Sequence, residues 1–441
     1  MAIVAGLDIG TTKIVCIIGE SSANGKFRKL GMARTESKGV ERGVVRNILT
    51  TAESIRKAVT EASAQAQVEV KRLYVGIAGQ HIKGQMCEGS IPISASHNLI
   101  TEKDVEELIE NQKRAIKKPG IEIIHIIPQG YTVDNEPLDT RISPIGVAGR
   151  TLKANFHVVT GTSDNINNIL YAVHTAGYET KGIILEPIAS AKAVLNDIEE
   201  QAGVALVDIG GGTTDIAIIT NGIVRYTSVL PVAGGIITDD ICDGCKILAP
   251  QAESLKIKYG SCLPSNTSSD NIYAIPGIRN QPQREISEHL LSKIINSRMK
   301  LILELIGTEI KTSGYSDQLL GGLVLTGGGS KLNHLIELSD LTTGKSTRIG
   351  IPDEHIEATT ANDEIAHPMY ATAVGIVLYG LEKEMRRTAL NEEQLKDVEK
   401  EKEEEKEATE AETKEEKKEE MTMTQKIDKF FNKILSNFHE E

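Results

Sequence analysis

Apolar positions near the start of the chain run in short unbroken blocks instead of at helical spacing. Ala2 to Leu7 and Ile14 to Ile18 flank a polar turn, Asp8-Ile9-Gly10-Thr11-Thr12-Lys13. The same arrangement returns 200 positions later, with Val204 to Val207 and Ile216 to Ile219 around Asp208-Ile209-Gly210-Gly211-Gly212-Thr213-Thr214-Asp215. Short apolar runs on both sides of a glycine turn, with no helix-capping signal between them, predict β-hairpins. Their recurrence predicts an internal duplication. A third turn, Thr326-Gly327-Gly328-Gly329-Ser330, follows the strand-like Gly322 to Leu325, with Ser330 read as the N-cap of a helix starting at Lys331.

The pattern changes twice more. Residues 79–160 are too long for a loop and carry their own signals: the apolar Ile91-Pro92-Ile93, a capped helix beginning near Thr101, and Ile123 to Val133. They predict a small inserted subdomain. At the far end, Ile427, Phe430, Phe431, Ile434, Leu435 and Phe438 follow offsets of 0, 3, 4, 7, 8 and 11, one apolar stripe on a helix over 425–441. Lys426, Lys429 and Lys433 fall on the opposite face.

The chemistry is concentrated in the three turns. Glycine at a hairpin tip permits positive φ and lets main-chain N–H groups converge on an anion, and threonine hydroxyls add donors. Two such tips facing each other would grip a polyphosphate, with Gly10, Thr11 and Thr12 on one side and Gly210, Gly211, Gly212, Thr213 and Thr214 on the other. Asp8 and Asp208 would then offer oxygens to a hydrated magnesium ion, and Lys13 would neutralise phosphate charge. The bare backbone of Gly327, Gly328 and Gly329 could lie flat against a purine. The P-loop spacing and the dinucleotide-binding fingerprint are both missing.

Composition narrows the class. A net charge of −13 and a pI of about 5.4 disfavour nucleic acid as a partner. With 40% apolar residues over 441, the chain can build about three domains. The start leads straight into a strand, and no apolar run reaches membrane-spanning length, so the folded part is expected to stay in the cytoplasm. Five scattered cysteines fit free thiols, and the C-x-x-C pair Cys242 and Cys245 has no second half-site. Residues 391–420 hold 15 acidic and 7 lysine side chains with only Leu395 and Val398 as large apolar residues, too few for a core. Residues 391–424 therefore read as an acidic tether, either a self-repelling coil with a reach on the order of 30 Å or a solvated single helix. Three of the five phenylalanines lie beyond it. A helix of about four turns is too short to span a bilayer but suits its anionic surface, where the lysines meet lipid headgroups; the same stripe could instead dock on its own domain or in a partner's groove.

The three turns together resemble those of the actin, heat-shock chaperone and sugar kinase superfamily. Leu185-Glu186-Pro187-Ile188-Ala189-Ser190-Ala191 is similar to that superfamily's first interdomain helix, and Ala373 to Gly380 to its second. The resemblance makes Glu186 the water-orienting catalytic residue, alongside Asp8. Ala252-Glu253-Ser254-Leu255-Lys256 resembles the ribose-binding helix; read from spacing alone, Glu253 and Lys256 could equally be a surface ion pair. Within the superfamily, the inserted segment, with Pro128-Gln129-Gly130-Tyr131, Pro144-Ile145-Gly146 and Gly149-Arg150-Thr151-Leu152, is similar to the subdomain of the FtsA family of bacterial cell-division proteins. This implies an α/β, actin-like bilobed ATP-binding fold with duplicated mixed-sheet lobes, an inserted subdomain and a C-terminal amphipathic helix. The first-lobe core would comprise 1–80, continued by 161–190 and 370–390. The insertion would be 81–160, and the second lobe 191–369 with an outer subdomain near 235–310. The implied ligands are ATP and Mg2+, with weak hydrolysis and nucleotide acting mainly on assembly. The implied role is to anchor polymers of FtsZ, the tubulin-like division protein, to the cytoplasmic face of the inner membrane at the division site. Implied partners are the FtsZ C-terminal peptide, further copies in filaments and other division proteins. Arg279, Arg284 and Arg298 are candidates to meet that peptide. A pilus or secretion platform, or a small-molecule kinase, would share the ATP cleft; neither accounts for the terminal helix.

Overall fold

A computed structural model describes residues 2–22, 25–94, 98–139, 142–277, 282–357, 363–390, 425 and 429. The acidic tether and the terminal stripe predicted from the sequence lie outside these, apart from Gln425 and Lys429, both helical. The described chain divides into a unit ending at Leu381 and a second beginning at Glu382. In the second, residues 382–390 are helical, with an Arg386–Glu382 ion pair one turn apart.

Within the first unit, two five-stranded sheets repeat one topology. In space the first runs Glu179–Leu185, Arg72–Ile77, Ile3–Ile9, Lys13–Ser21, Phe27–Glu36. The second runs Thr347–Ile349, Leu323–Thr326, Val204–Ile209, Thr214–Thr220, Ile223–Leu230. In each, the last three strands form an antiparallel meander. The first two run parallel beside its opening strand. The duplication signalled by two turns therefore extends to the whole sheet.

Period-two alternation divides each strand between two cores. Val15 and Ile17 face a core shared by both lobes, whereas Ile14, Cys16 and Ile18 face helices Ile48–Ala66 and Ser163–Thr175 of the first lobe. In the second lobe Val204 and Leu206 join the shared core, and Ala205, Val207 and Ile209 pack toward helices Gly234–Cys245, Ala249–Tyr259 and Glu288–Thr312. The shared core is built on two connecting helices, Glu186–Val194 and the one that begins at 371. Small residues let their backbones meet: a Cβ on Gly375 would lie 1.8 Å from the Ala189 carbonyl oxygen.

The insertion leaves after Arg72–Ile77. It forms a four-stranded sheet ordered Lys83–Pro92, Thr151–Thr162, Ile121–Val133, Glu136–Pro137, covered by helix Glu102–Ile116. Thr101 caps that helix reciprocally with Asp104, and Ile91, Leu108, Phe156 and Val158 fill a separate core. Cys242 and Cys245 are free thiols.

The third turn departs from expectation. Ser330 does not cap an α-helix; it sits in a 3-10 turn, Gly328–Lys331, where its hydroxyl donates to the Gly327 carbonyl oxygen at 2.8 Å. The chain is then held extended because Asn333 bridges to Ser261 in parallel, so the helix starts only at Leu335, after His334 in the left-handed region.

Gly375→Ala forces the connecting helices apart and should destabilise the protein by about 1 to 3 kcal/mol, the usual cost of overpacking a tight contact. Thermal unfolding checks this; an unchanged melting temperature would show that the crossing can relax.

Candidate nucleotide-binding site

The two hairpin tips meet face to face. Ile9 pairs with Ile14 and Ile209 with Thr214, leaving Gly10 to Lys13 and Gly210 to Thr213 as the turns. A Cβ on Gly211 would lie 2.3 Å from the Thr12 methyl, and one on Gly212 would lie 2.4 Å from the Thr11 hydroxyl. Glycine is thus required in the second tip by the threonines of the first. Thr11 Oγ1 also accepts from the Gly43 amide at 3.1 Å, fixing its own tip.

The lining between the tips comprises Asp8, Gly10 to Lys13, Glu186, Asp208, Gly210 to Thr213, Asp215, Gly327, Gly328, Met369 and Thr372, around about 40 Å3 of space. Asp208 is tied to both connecting helices: its Oδ2 accepts from Ser190 Oγ at 2.7 Å and Thr372 Oγ1 at 3.0 Å, and those hydroxyls lie 3.0 Å apart. Glu186 opens the first of these helices.

Four carboxylates share this space with the Lys13 ammonium. Burial, with the carboxylates of Asp8, Asp215 and Asp208, raises Glu186 well above the usual range. Burial, with Asp208, takes Asp215 up to about 8. Burial lifts Asp8 to about 6 against the pull of Lys13. Burial also raises Asp208, which the Ser190 hydroxyl and Lys13 hold down. Asp215 Oδ1 is buried without a hydrogen-bond partner, while Oδ2 accepts from Thr213 at 2.9 Å. A divalent cation suits this excess of buried negative charge. Among the described residues no group of three metal-ligating side chains is preassembled, so Asp8 and Asp208 would share the ion with water and phosphate oxygens, as Mg2+ prefers.

A family model for Cell division protein FtsA matches residues 205–375, and one for the SHS2 domain inserted in FTSA matches 79–160. The FtsA of Pseudomonas aeruginosa is 35% identical over 381 residues, covering 86% of this chain and 90% of its own. That of Escherichia coli K12 is 31% identical over 394 residues, covering 88% and 92%. The chain belongs to the FtsA family. It is an actin-like cell-division protein, and two solved structures with much lower identity bear on its fold alone. A PilM–PilN type IV pilus biogenesis complex aligns at TM-score 0.61 with 17% identity, covering 86% of this chain and 98% of that one. MreB5 of Spiroplasma citri bound to ADP aligns at 0.50 with 13% identity, covering 88% and 99%.

In this FtsA-family chain several expected contacts fall elsewhere. Thr214 is fully buried in a strand, and its hydroxyl donates to the Val232 carbonyl at 2.7 Å, so it does not reach the cleft. Gly329 packs on Ile209, and Ser330 is occupied by Gly327. Glu253 and Lys256 form a 2.7 Å ion pair behind the second tip, where Lys256 Nζ donates to the Gly234 carbonyl at 2.8 Å and Gly234 N–H donates to Gly210 O at 3.0 Å. They brace the tip without lining the cleft. A larger cavity of about 760 Å3 on Ser330 to Leu332, Pro368 to Tyr370 and Arg34 contains neither residue. Asp215, Met369 and Thr372 were missed as lining residues. The pairing of Asp208 with Asp215 across the hairpin was a signal for the first of these; only the tertiary fold brings the other two.

In the metal- and nucleotide-free protein, a raised pKa means that Asp215 keeps its proton when folded and loses it when unfolded. The folded state binds more protons between about pH 4 and 8, so stability falls as pH rises through that window. The melting temperature in EDTA should therefore drop from pH 5.5 to 8.5, and Asp215→Asn should flatten the drop. A slope unaffected by the substitution contradicts the assignment.

Proposed function

We propose that this chain binds ATP with Mg2+ between its two tips, assembles through its actin-like body at the division site, and holds FtsZ polymers to the cytoplasmic face of the inner membrane through its terminal segment. The observation that carries the nucleotide part is the face-to-face placement of Thr11 and Thr12 against Gly211 and Gly212, with Lys13 and Glu186 in the same lining. MreB5 of Spiroplasma citri is bound to ADP, and the shared fold supports the same ligand class here.

Binding phosphates requires the tips to part and offer their backbone N–H groups from two sides. Lys13 would neutralise phosphate charge, Asp8 and Asp208 would hold the hydrated cation, and Glu186 would orient water at the terminal phosphate. The bound cation supplies charge neutralisation. Each of the four carboxylates would then ionise more readily, so cation uptake releases protons. Because ATP bridges two lobes, it favours the closed form by binding it better than the open one, and hydrolysis need only be slow.

The anchoring part rests on the stripe of Ile427, Phe430, Phe431, Ile434, Leu435 and Phe438, backed by Lys426, Lys429 and Lys433. Among the described residues no helix is long and apolar enough to cross a membrane. For the FtsZ peptide, Arg279 lies outside the described residues, and Arg284 begins the second strand of a small hairpin, Ile272–Ile275 with Arg284–Ser287. Arg298 is not free: it holds Asp240 through two bonds of 2.6 and 2.8 Å, bracing helices Glu288–Thr312 and Gly234–Cys245. An acidic peptide would have to compete with that carboxylate.

Lys13→Ala should weaken binding of a fluorescent ATP analogue at least tenfold with little change in melting temperature; equal affinity removes Lys13 from the phosphates. Flotation of FtsZ polymer with anionic vesicles, ATP and the full-length chain should carry FtsZ upward, and a chain ending at Thr424 should not. Flotation of FtsZ by the truncated chain would move the anchor elsewhere; flotation of the full chain without FtsZ would remove the partner.

A further inference from the structure

One strand of the inserted subdomain, Ile121–Val133, touches each part that must move if the cleft opens. His125 Nε2 accepts from the backbone N–H of Leu185, the residue before Glu186, at 3.0 Å. Its ring stands edge-on to Tyr379 of the second connecting helix, centroids 6.5 Å apart. Further along, the buried Gln129 offers its main-chain carbonyl to Arg225 Nη1 at 2.6 Å and its Oε1 at 3.3 Å, while its Nε2 donates to the Val224 carbonyl at 2.9 Å. On the neighbouring strand His157 Nε2 lies 3.0 Å from Thr227 Oγ1, both buried. Val224, Arg225 and Thr227 belong to the outermost strand of the second-lobe sheet. A subdomain rooted in the first lobe is therefore hydrogen-bonded to the second.

We infer that the inserted subdomain is a releasable strap across the two lobes that governs how readily nucleotide enters and leaves the cleft; its effect on nucleotide rests on the function proposed above. The chemistry of the contact favours release. Arg225 is only 9% exposed, and its hydrogen bonds among the described residues go to neutral acceptors, the Thr220 hydroxyl and Gln129. A buried cation without a carboxylate carries a desolvation cost that is recovered when the contact opens to water. Half-buried Ile82, Ile127 and Val224 add apolar contact at the rim of the shared core. A polar contact of this kind between mobile parts can hold and let go, whereas the apolar core beneath Phe156 keeps the subdomain itself rigid.

The consequence is reciprocal. Parting Thr11 and Thr12 from Gly211 and Gly212 draws the second lobe away from the strand that holds it. A partner that binds the subdomain in its released position therefore loosens nucleotide, and nucleotide weakens that partner by the same factor.

The test uses the full-length chain and two variants that leave every lining residue in place. Gln129→Ala removes the side-chain half of the latch. Gly84→Val is a wedge, because a Cβ there lies 2.6 Å from His157 Cε1 and 3.3 Å from the Thr227 carbonyl oxygen. Release of a fluorescent ATP analogue after a chase should accelerate roughly 5- to 20-fold in both, within the ordinary range of allosteric coupling. Amide hydrogen exchange at both tips should also quicken, with protection of the Phe156 strand unchanged. Unchanged release and unchanged tip exchange overturn the strap. If the unsubstituted chain takes up no analogue, the nucleotide reading fails, and tip exchange alone decides: faster in the variants upholds the strap, equal rates overturn it. Should Gly84→Val not fold, Gln129→Ala decides by the same two measurements.

Discussion

Everything in the larger unit depends on how closely its two connecting helices cross. At Gly375 and Ala189 the backbones touch with no room for a Cβ, and just beside that point Ser190 and Thr372 each donate to one oxygen of Asp208. A single carboxylate on the second tip is thereby bonded to both helices that join the lobes. Such a buried network is satisfied only when both helices and the tip are in register, so the geometry of the cleft and of the hinge cannot vary independently. The alanine-rich faces of the helices have the same physical origin, since larger side chains would separate the sheets and remove Asp208 from its donors.

That construction leaves a problem of charge. Asp8, Glu186, Asp208 and Asp215 converge with Lys13 in a space of about 40 Å3, and their protons are retained to higher pH than usual. The site is thus frustrated in electrostatic terms while being well packed. Frustration confined to one place in an otherwise consistent fold is the pattern expected where a ligand completes the structure. On the proposed reading a bound cation would supply the missing positive charge, and the phosphates it accompanies would enter as the tips part.

The insertion shows how a fold can gain a control element without altering its core. Its own sheet and helix bury a separate apolar cluster, which gives it a core of its own. Its contacts with the second lobe centre on Gln129, Arg225, His157 and Thr227, polar groups whose partners water can replace.

The sequence alone determined the elements with local causes. Short unbroken apolar runs bounded by glycine turns specified both hairpins, their repetition specified an internal duplication, and Thr101 with Asp104 specified the start of the inserted helix. The glycine tips, Lys13 and Glu186 were legible because their spacing or family resemblance carries the meaning. What tertiary structure decided was which polar groups remain available. Thr214 looked equivalent to Thr213, but strand pairing turns its hydroxyl to Val232. Ser330 looked like a cap until Asn333 was drawn into a bridge with Ser261. Arg298 looked free until Asp240, 58 positions away, closed on it. Met369 and Thr372 gained their place in the cleft from a chain segment far from either tip in sequence. Local pattern fixes backbone form because its causes lie within a few residues; the satisfaction of a hydrogen-bonding group depends on whatever the fold brings within about 3 Å, which no neighbouring residue encodes.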